Sequence, residues 1–68
     1  MVNINKALGK KIRTMRRAKK MTQEDLAYES KIDYSYLNEI EAGKRNPSIK
    51  RINAIAKVLK ISVSELFK

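Results

Sequence analysis

Apolar residues return every three or four positions along most of this chain, the spacing of helices that each bury one face. Ile4, Leu8, Ile12 and Met15 make the first such stripe, and Asn3 or Asn5 can cap the helix that carries it. Gly9 stands one residue from the stripe, where it either admits a second helix closely or is a tolerated surface glycine. Arg16 lies on the flank of the stripe, near the core, while Arg13 and Arg17 face outward. Lys19-Lys20-Met21 ends the helix.

The stretch from Thr22 to Ile40 reads as two short helices with a tight break at Ser30-Lys31-Ile32. Thr22 and Asp25 have capping-box spacing, Leu26 and Ala27 look inward, and Asp33 can cap the second helix of the pair. At about 100° per residue, Leu37 and Ile40 share one face of that helix. Ser35, Asn38 and Glu39 point the other way, with Tyr34 at the border and Glu41 beside the apolar face, partly exposed. A short polar face on the second of two abutting helices is the layout of a helix-turn-helix.

Ala42-Gly43 stops the third helix, Gly43 suiting the left-handed closing position, and Lys44-Arg45-Asn46-Pro47 is a loop. Ser48 caps a fourth helix whose inner face is Ile49, Ile52, Ile55, Ala56 and Leu59. Lys50 and Arg51 sit in its first turn against the helix dipole, which points to an external anion or to a merely screened surface pair. Ser62 and Glu65 are spaced as a capping box for a last short helix. Its Val63, Leu66 and Phe67 are too many apolar residues for so short a helix to hide, so some are core and some meet a second copy. The expectation is an all-α, five-helix bundle, a single domain over residues 1–68 with the helix-turn-helix at about 22–42.

Charge sharpens this picture. The net charge of +9 is uneven: residues 1–20 carry +8, residues 21–43 carry −5 and residues 44–68 carry +6. Basic flanks of that size suit a polyanion, nucleic acid ahead of an anionic membrane, against the plain reading of a solubilising surface. The chain has no cysteine and no histidine, so thiolate chemistry and the usual zinc ligands are excluded. Glu24-Asp25 and Glu39/Glu41 are carboxylate pairs, but residues one or two apart on a helix do not face each other, and no glycine-rich phosphate loop is present. No catalytic residue, metal, cofactor or small-molecule ligand is expected. No apolar run reaches the roughly 20 residues of a membrane span, and the first residues lack a secretory pattern, so a cytoplasmic protein is expected.

Three ordered blocks resemble the lambda-repressor-like, Xre-type helix-turn-helix domains: Thr22-Gln23-Glu24-Asp25-Leu26-Ala27, Ile40 through Ser48, and Ser62 through Phe67. The resemblance runs from about Leu8 to Phe67. It implies a DNA-binding domain that acts as a homodimer on a palindromic double-stranded operator and regulates transcription. Tyr34, Ser35, Asn38 and Glu39 match its base-reading positions in the major groove. Gln23 matches the position that touches the DNA backbone or the outer bases, and Lys44, Arg45 and Asn46 match its phosphate-contacting loop. Lys50 and Arg51, at the start of the fourth helix, join them as expected phosphate contacts on their charge. Arg16 and Glu41 match a buried or half-buried ion pair bracing the first helix against the third. Tyr28 and Tyr36 are read as packing residues.

Two features depart from the family. Lys20 and Lys31 stand where such domains often have glycine, and left-handed turns there would cost on the order of 1 kcal/mol each. The reading face carries two tyrosines and Glu39, so no known operator carries over. As a stand-alone protein the chain would resemble the small controller proteins of restriction–modification systems, which share the Arg45-Asn46 loop. A piece of a longer repressor fits the sequence nearly as well. The rival reading from another class is a protein-interaction or antitoxin-like module, kept open by the acidic central segment.

Overall fold

A computed structural model describes residues 3–68. Four α-helices follow one another, α1 (Ile4–Ala18), α2 (Gln23–Ser30), α3 (Tyr34–Glu41) and α4 (Ile49–Leu59), and a 3₁₀ helix, Val63–Phe67, comes last. The fifth expected helix is thus a 3₁₀ segment. Its tighter i→i+3 ladder already gives the Glu65 N–H the Ser62 carbonyl, at 3.1 Å, so the expected Ser62–Glu65 capping box does not form. The Ser62 hydroxyl pairs with Ser64 instead, and the Glu65 carboxylate accepts from Lys68.

Side-chain caps start three of the helices. Asn3 accepts from the Lys6 N–H and Ser48 from the Arg51 N–H. Thr22 and Asp25 close a reciprocal box, the Asp25 N–H donating to the Thr22 hydroxyl at 3.0 Å and the Thr22 N–H to the Asp25 carboxylate at 2.9 Å. The side-chain cap of α3 expected from Asp33 does not form, its carboxylate being engaged by the Ser35 hydroxyl instead.

All four α-helices end in the same way. Lys20, Lys31 and Lys60 adopt left-handed backbone at φ 58°, 59° and 58°, and Gly43 does so at φ 78°. The N–H one residue further on then reaches five residues back: Met21 to Arg16, Ile32 to Ala27, Lys44 to Glu39 and Ile61 to Ala56. This is a Schellman closure, which favours glycine at the left-handed place and an apolar residue after it. Three of the four closures accept lysine there, and in each of those the next residue, Met21, Ile32 or Ile61, packs on the core. Gly43 has no such latitude, since a Cβ would come within 2.9 Å of the Lys6 Cα.

The core lies between the helices, with Ile12, Leu26, Leu37, Ile40, Ile55, Leu59 and Leu66 at its centre. Gly9 is buried where α1 crosses α3, so it serves close approach. Ile4 and Ile49, both expected inside, are exposed at 65% and 66%. Each belongs to the first turn of its helix, beyond the neighbours that cover the rest of the stripe. Pro47, just ahead of α4, is buried instead. Tyr28 was expected to pack and is 86% exposed on the outside of α2. Among the described residues, no helix is long and apolar enough to cross a membrane.

Candidate nucleic-acid interface

The buried polar centre of the molecule sits directly beneath the outward face of α3. Arg16 and Glu41 are 7% and 3% exposed, deeper than their expected place at the core edge. The guanidinium donates through Nε to Glu41 Oε2 at 2.8 Å and through Nη2 to Oε1 at 3.1 Å. Its third arm, Nη1, donates to the Met21 carbonyl at 2.7 Å and so holds the turn between α1 and α2. The fork-to-fork geometry is the strong form of this pair. Arg13, expected to face outward, is half-buried and brings its Nε to 3.5 Å from the same Oε1.

Glu41 also reaches toward the surface. Gln23, the first residue of α2, donates Nε2 to Glu41 Oε1 at 3.1 Å. Its other amide atom, Oε1, accepts from Asn38 Nδ2 at 3.2 Å. Two residues assigned separate roles by the resemblance are therefore joined, and the joint is anchored on the buried ion pair.

The rest of the α3 face is exposed at Tyr34 and Ser35 and half-buried at Glu39. The Ser35 hydroxyl donates to Asp33, holding that carboxyl below the usual carboxylate range. Glu39 is paired with Arg45, Oε1 to Nε at 3.4 Å. Tyr36 turns aside from the exposed face and packs partly on the core. The guanidiniums of Arg45 and Arg51 lie over its ring, 5.6 Å and 4.8 Å from the centroid. That ring gathers cations from the loop and from the first turn of α4 onto one spot.

Basic groups thus border α3 on two sides. On one, Arg13 and Arg17 share a shallow groove with Gln23 and Tyr34. On the other, Lys31, Lys50 and Arg51 line one cleft near the Arg45–Tyr36 contact. Lys44 and Asn46 stand exposed on the loop between α3 and α4. The sequence alone does not show the groove beside Arg13 and Arg17. Its one signal is two arginines four apart on α1, which a stripe-based reading sets aside as solvated.

The three residues considered for a second copy separate. Leu66 is 1% exposed and belongs to the core, so it offers a partner almost nothing. Val63 is half-buried and Phe67 is 50% exposed. Phe67 shares an apolar cleft with the exposed Ile4, together with Ala7 and Leu8.

A helix-turn-helix family model matches residues 12–66. The control protein C.BamHI of Bacillus amyloliquefaciens is 38% identical over 65 residues, covering 94% of this chain and 80% of that protein. The crystal structure of the restriction–modification controller protein C.AhdI from Aeromonas hydrophila is similar with a TM-score of 0.89 and 40% identity, covering 91% of this chain and 94% of that one. The biofilm master regulator SinR, solved in complex with DNA, is similar with a TM-score of 0.86 and 32% identity, covering 90% of this chain and 98% of that one. The immunity repressor of Bacillus phage phi105 is 37% identical over 59 residues, and the chain spans 41% of its length.

Proposed function

Since the chain belongs to the helix-turn-helix family, whose relatives are DNA-binding transcriptional regulators and not enzymes, we propose that it regulates transcription by binding a palindromic double-stranded operator as a homodimer. The observation that carries this reading is the polar face of α3, exposed between two borders of guanidinium and ammonium groups. In the proposed complex α3 lies in the major groove, and Tyr34, Ser35, Asn38 and Glu39 meet base edges. Gln23, Lys44, Arg45, Asn46, Lys50 and Arg51 hold phosphates, and Arg13 and Arg17 extend that grip. Phosphate contacts set register, while base contacts set sequence. A cytoplasmic location and the single-domain span of 1–68 go with this reading, as does kinship of role with the controller proteins.

The second copy would cover the cleft of Ile4 and Phe67 and the half-buried Val63, and place two α3 helices about 34 Å apart, one turn of DNA. Sedimentation of the wild type and of Phe67→Ala, free and on DNA, tests this. A wild type that stays monomeric on its operator sinks the dimer.

The decisive experiment selects duplexes from a random pool and then compares two variants on the winner and its single-base substitutions. Asn38→Ala should relax preference at one base pair per half-site, by about 1–3 kcal/mol, and leave the salt dependence unchanged. Arg45→Ala should weaken all sequences alike and make the log–log salt slope shallower by about 0.9. A salt-independent affinity, or no selected consensus, would reject the proposal. In its place would stand a protein-interaction module, the reading favoured by Tyr28 lying exposed on α2 beside Glu24, Asp25 and Glu29.

A further inference from the structure

We infer that Lys31 holds a backbone phosphate of the bound duplex, in one cationic cleft that it forms with Lys50 and Arg51. The inference rests on the DNA-binding reading proposed above. It adds a contact at the link before α3, which neither the loop after α3 nor its exposed face supplies.

Local structure gives no reason for a lysine here. Lys31 closes α2 with left-handed backbone at φ 59°, where glycine is the favoured residue. Its N–H donates to the Tyr28 carbonyl at 3.3 Å, a bond that glycine makes equally well. Its side chain is exposed and has no carboxylate within 4 Å among the described residues. What the lysine adds at this place is a free cation.

That cation has company. Lys31, Lys50 and Arg51 line one cleft with the buried Ile32 and the half-buried Ala54, and no acid lines it. Lys50 and Arg51 also lack a carboxylate within 4 Å among the described residues, and the first turn of α4 carries none. Like charges repel more strongly over an apolar floor than in open water, and an anion bound there relieves the repulsion. Position then selects the anion. The Arg51 guanidinium lies over the Tyr36 ring of α3, which Arg45 shares. The cations therefore form a strip from the loop after α3, across the start of α4, to the link before α3. A strip joining both ends of a helix seated in a groove fits the phosphates along that groove's edge.

The test compares Lys31→Gly with Lys60→Gly on the duplex that the wild type selects from a random pool. Both variants remove one charge at a left-handed position, and Lys60 does not line the cleft. Lys31→Gly should melt at or above the wild-type midpoint, so that a weaker grip on DNA is not a failure to fold. It should bind every duplex about fivefold more weakly at physiological salt, the share of one released counterion. Its log–log salt slope should be shallower by about 0.9, with base preferences unchanged. Lys60→Gly should change affinity by less than about twofold, its charge being distant and screened. Duplexes carrying one neutral methylphosphonate at a time then locate the contact. One position should weaken the wild type by about the same fivefold and leave Lys31→Gly unaffected. Lys31→Gly losing no more than Lys60→Gly overturns the inference. So does a loss that brings altered base preference, or a scan with no position that separates the two proteins. A wild type whose affinity ignores salt rejects the DNA-binding reading itself, and the phosphate contact with it.

Discussion

Gly9 and Ile40 meet backbone to backbone: a Cβ on Gly9 would overlap the Ile40 carbonyl oxygen and come within 2.7 Å of that of Glu41. Alanine in mid-helix is normally favoured over glycine by about 1 kcal/mol. Here the obstacle is main chain and cannot swing away. Gly9→Ala should therefore destabilise the fold by about 1–3 kcal/mol, as overpacking does. Thermal melting measures it, and an unchanged or raised midpoint would mean that α1 can shift off α3.

The ion pair under α3 should behave as a buried one. Glu41→Ala leaves the Arg16 guanidinium, 8% exposed in its side chain, without its carboxylate. A loss of about 3–5 kcal/mol is expected in urea unfolding. Replacing both partners, Arg16→Met with Glu41→Leu, should recover most of that loss, since no lone charge remains buried. A double variant as unstable as the single one would show that the loss does not come from an unpaired buried guanidinium.

The left-handed lysines predict gains. A non-glycine residue at such φ costs on the order of 1 kcal/mol, so Lys20→Gly, Lys31→Gly and Lys60→Gly should each raise the melting midpoint. Lys60 lies outside the two borders of α3, so Lys60→Gly should leave DNA affinity nearly as it was. If Lys31→Gly gains stability and loses affinity, the lysine is kept for its charge.

Acid stability should depend on the α2 cap. The Thr22 backbone N–H, and then its hydroxyl, hold the Asp25 carboxyl below the ordinary carboxylate range. The unfolded chain therefore takes up this proton first. The stabilisation is complete above the ordinary value, near pH 4, and is lost as pH falls through the lowered one. Asp25→Asn should flatten that part of the stability-against-pH curve. Identical acid limbs for the two proteins would exclude Asp25 as a contributor.

The fold was legible at most helix ends from local chemistry, though the same kind of signal misled at Asp33 and at Ser62 with Glu65, where a neighbouring hydroxyl or a 3₁₀ bond took the partner. Thr22 with Asp25, Ser48, and the turn at Gly43 mark helix ends through bonds between near neighbours, and the chain obeys them. Periodicity found the faces of α1 and α4, yet it could not say whether anything lay opposite Ile4 or Ile49, because a stripe carries no record of its partner's length. Lys60 gave no glycine to mark its turn; the apolar Ile61 after it was the clue. At the candidate interface, residue types showed which groups turn outward. They did not show that Gln23 meets Asn38 or that Tyr36 gathers Arg45 and Arg51, contacts set by how α2, α3 and α4 cross.

The three-residue link between α2 and α3, Lys31 to Asp33, has a mechanical consequence. Its first residue closes one helix, its second is buried and its third begins the next. With Gly9 against α3 on one side and the ion pair beneath, α3 has neither hinge nor slack. In the proposed complex, whatever strain arises in fitting it to a groove must then be taken up by the duplex. Operators with identical half-sites should thus be ranked by the pliancy of the steps between them, and stiff A-tracts at the centre should bind more weakly than flexible pyrimidine–purine steps.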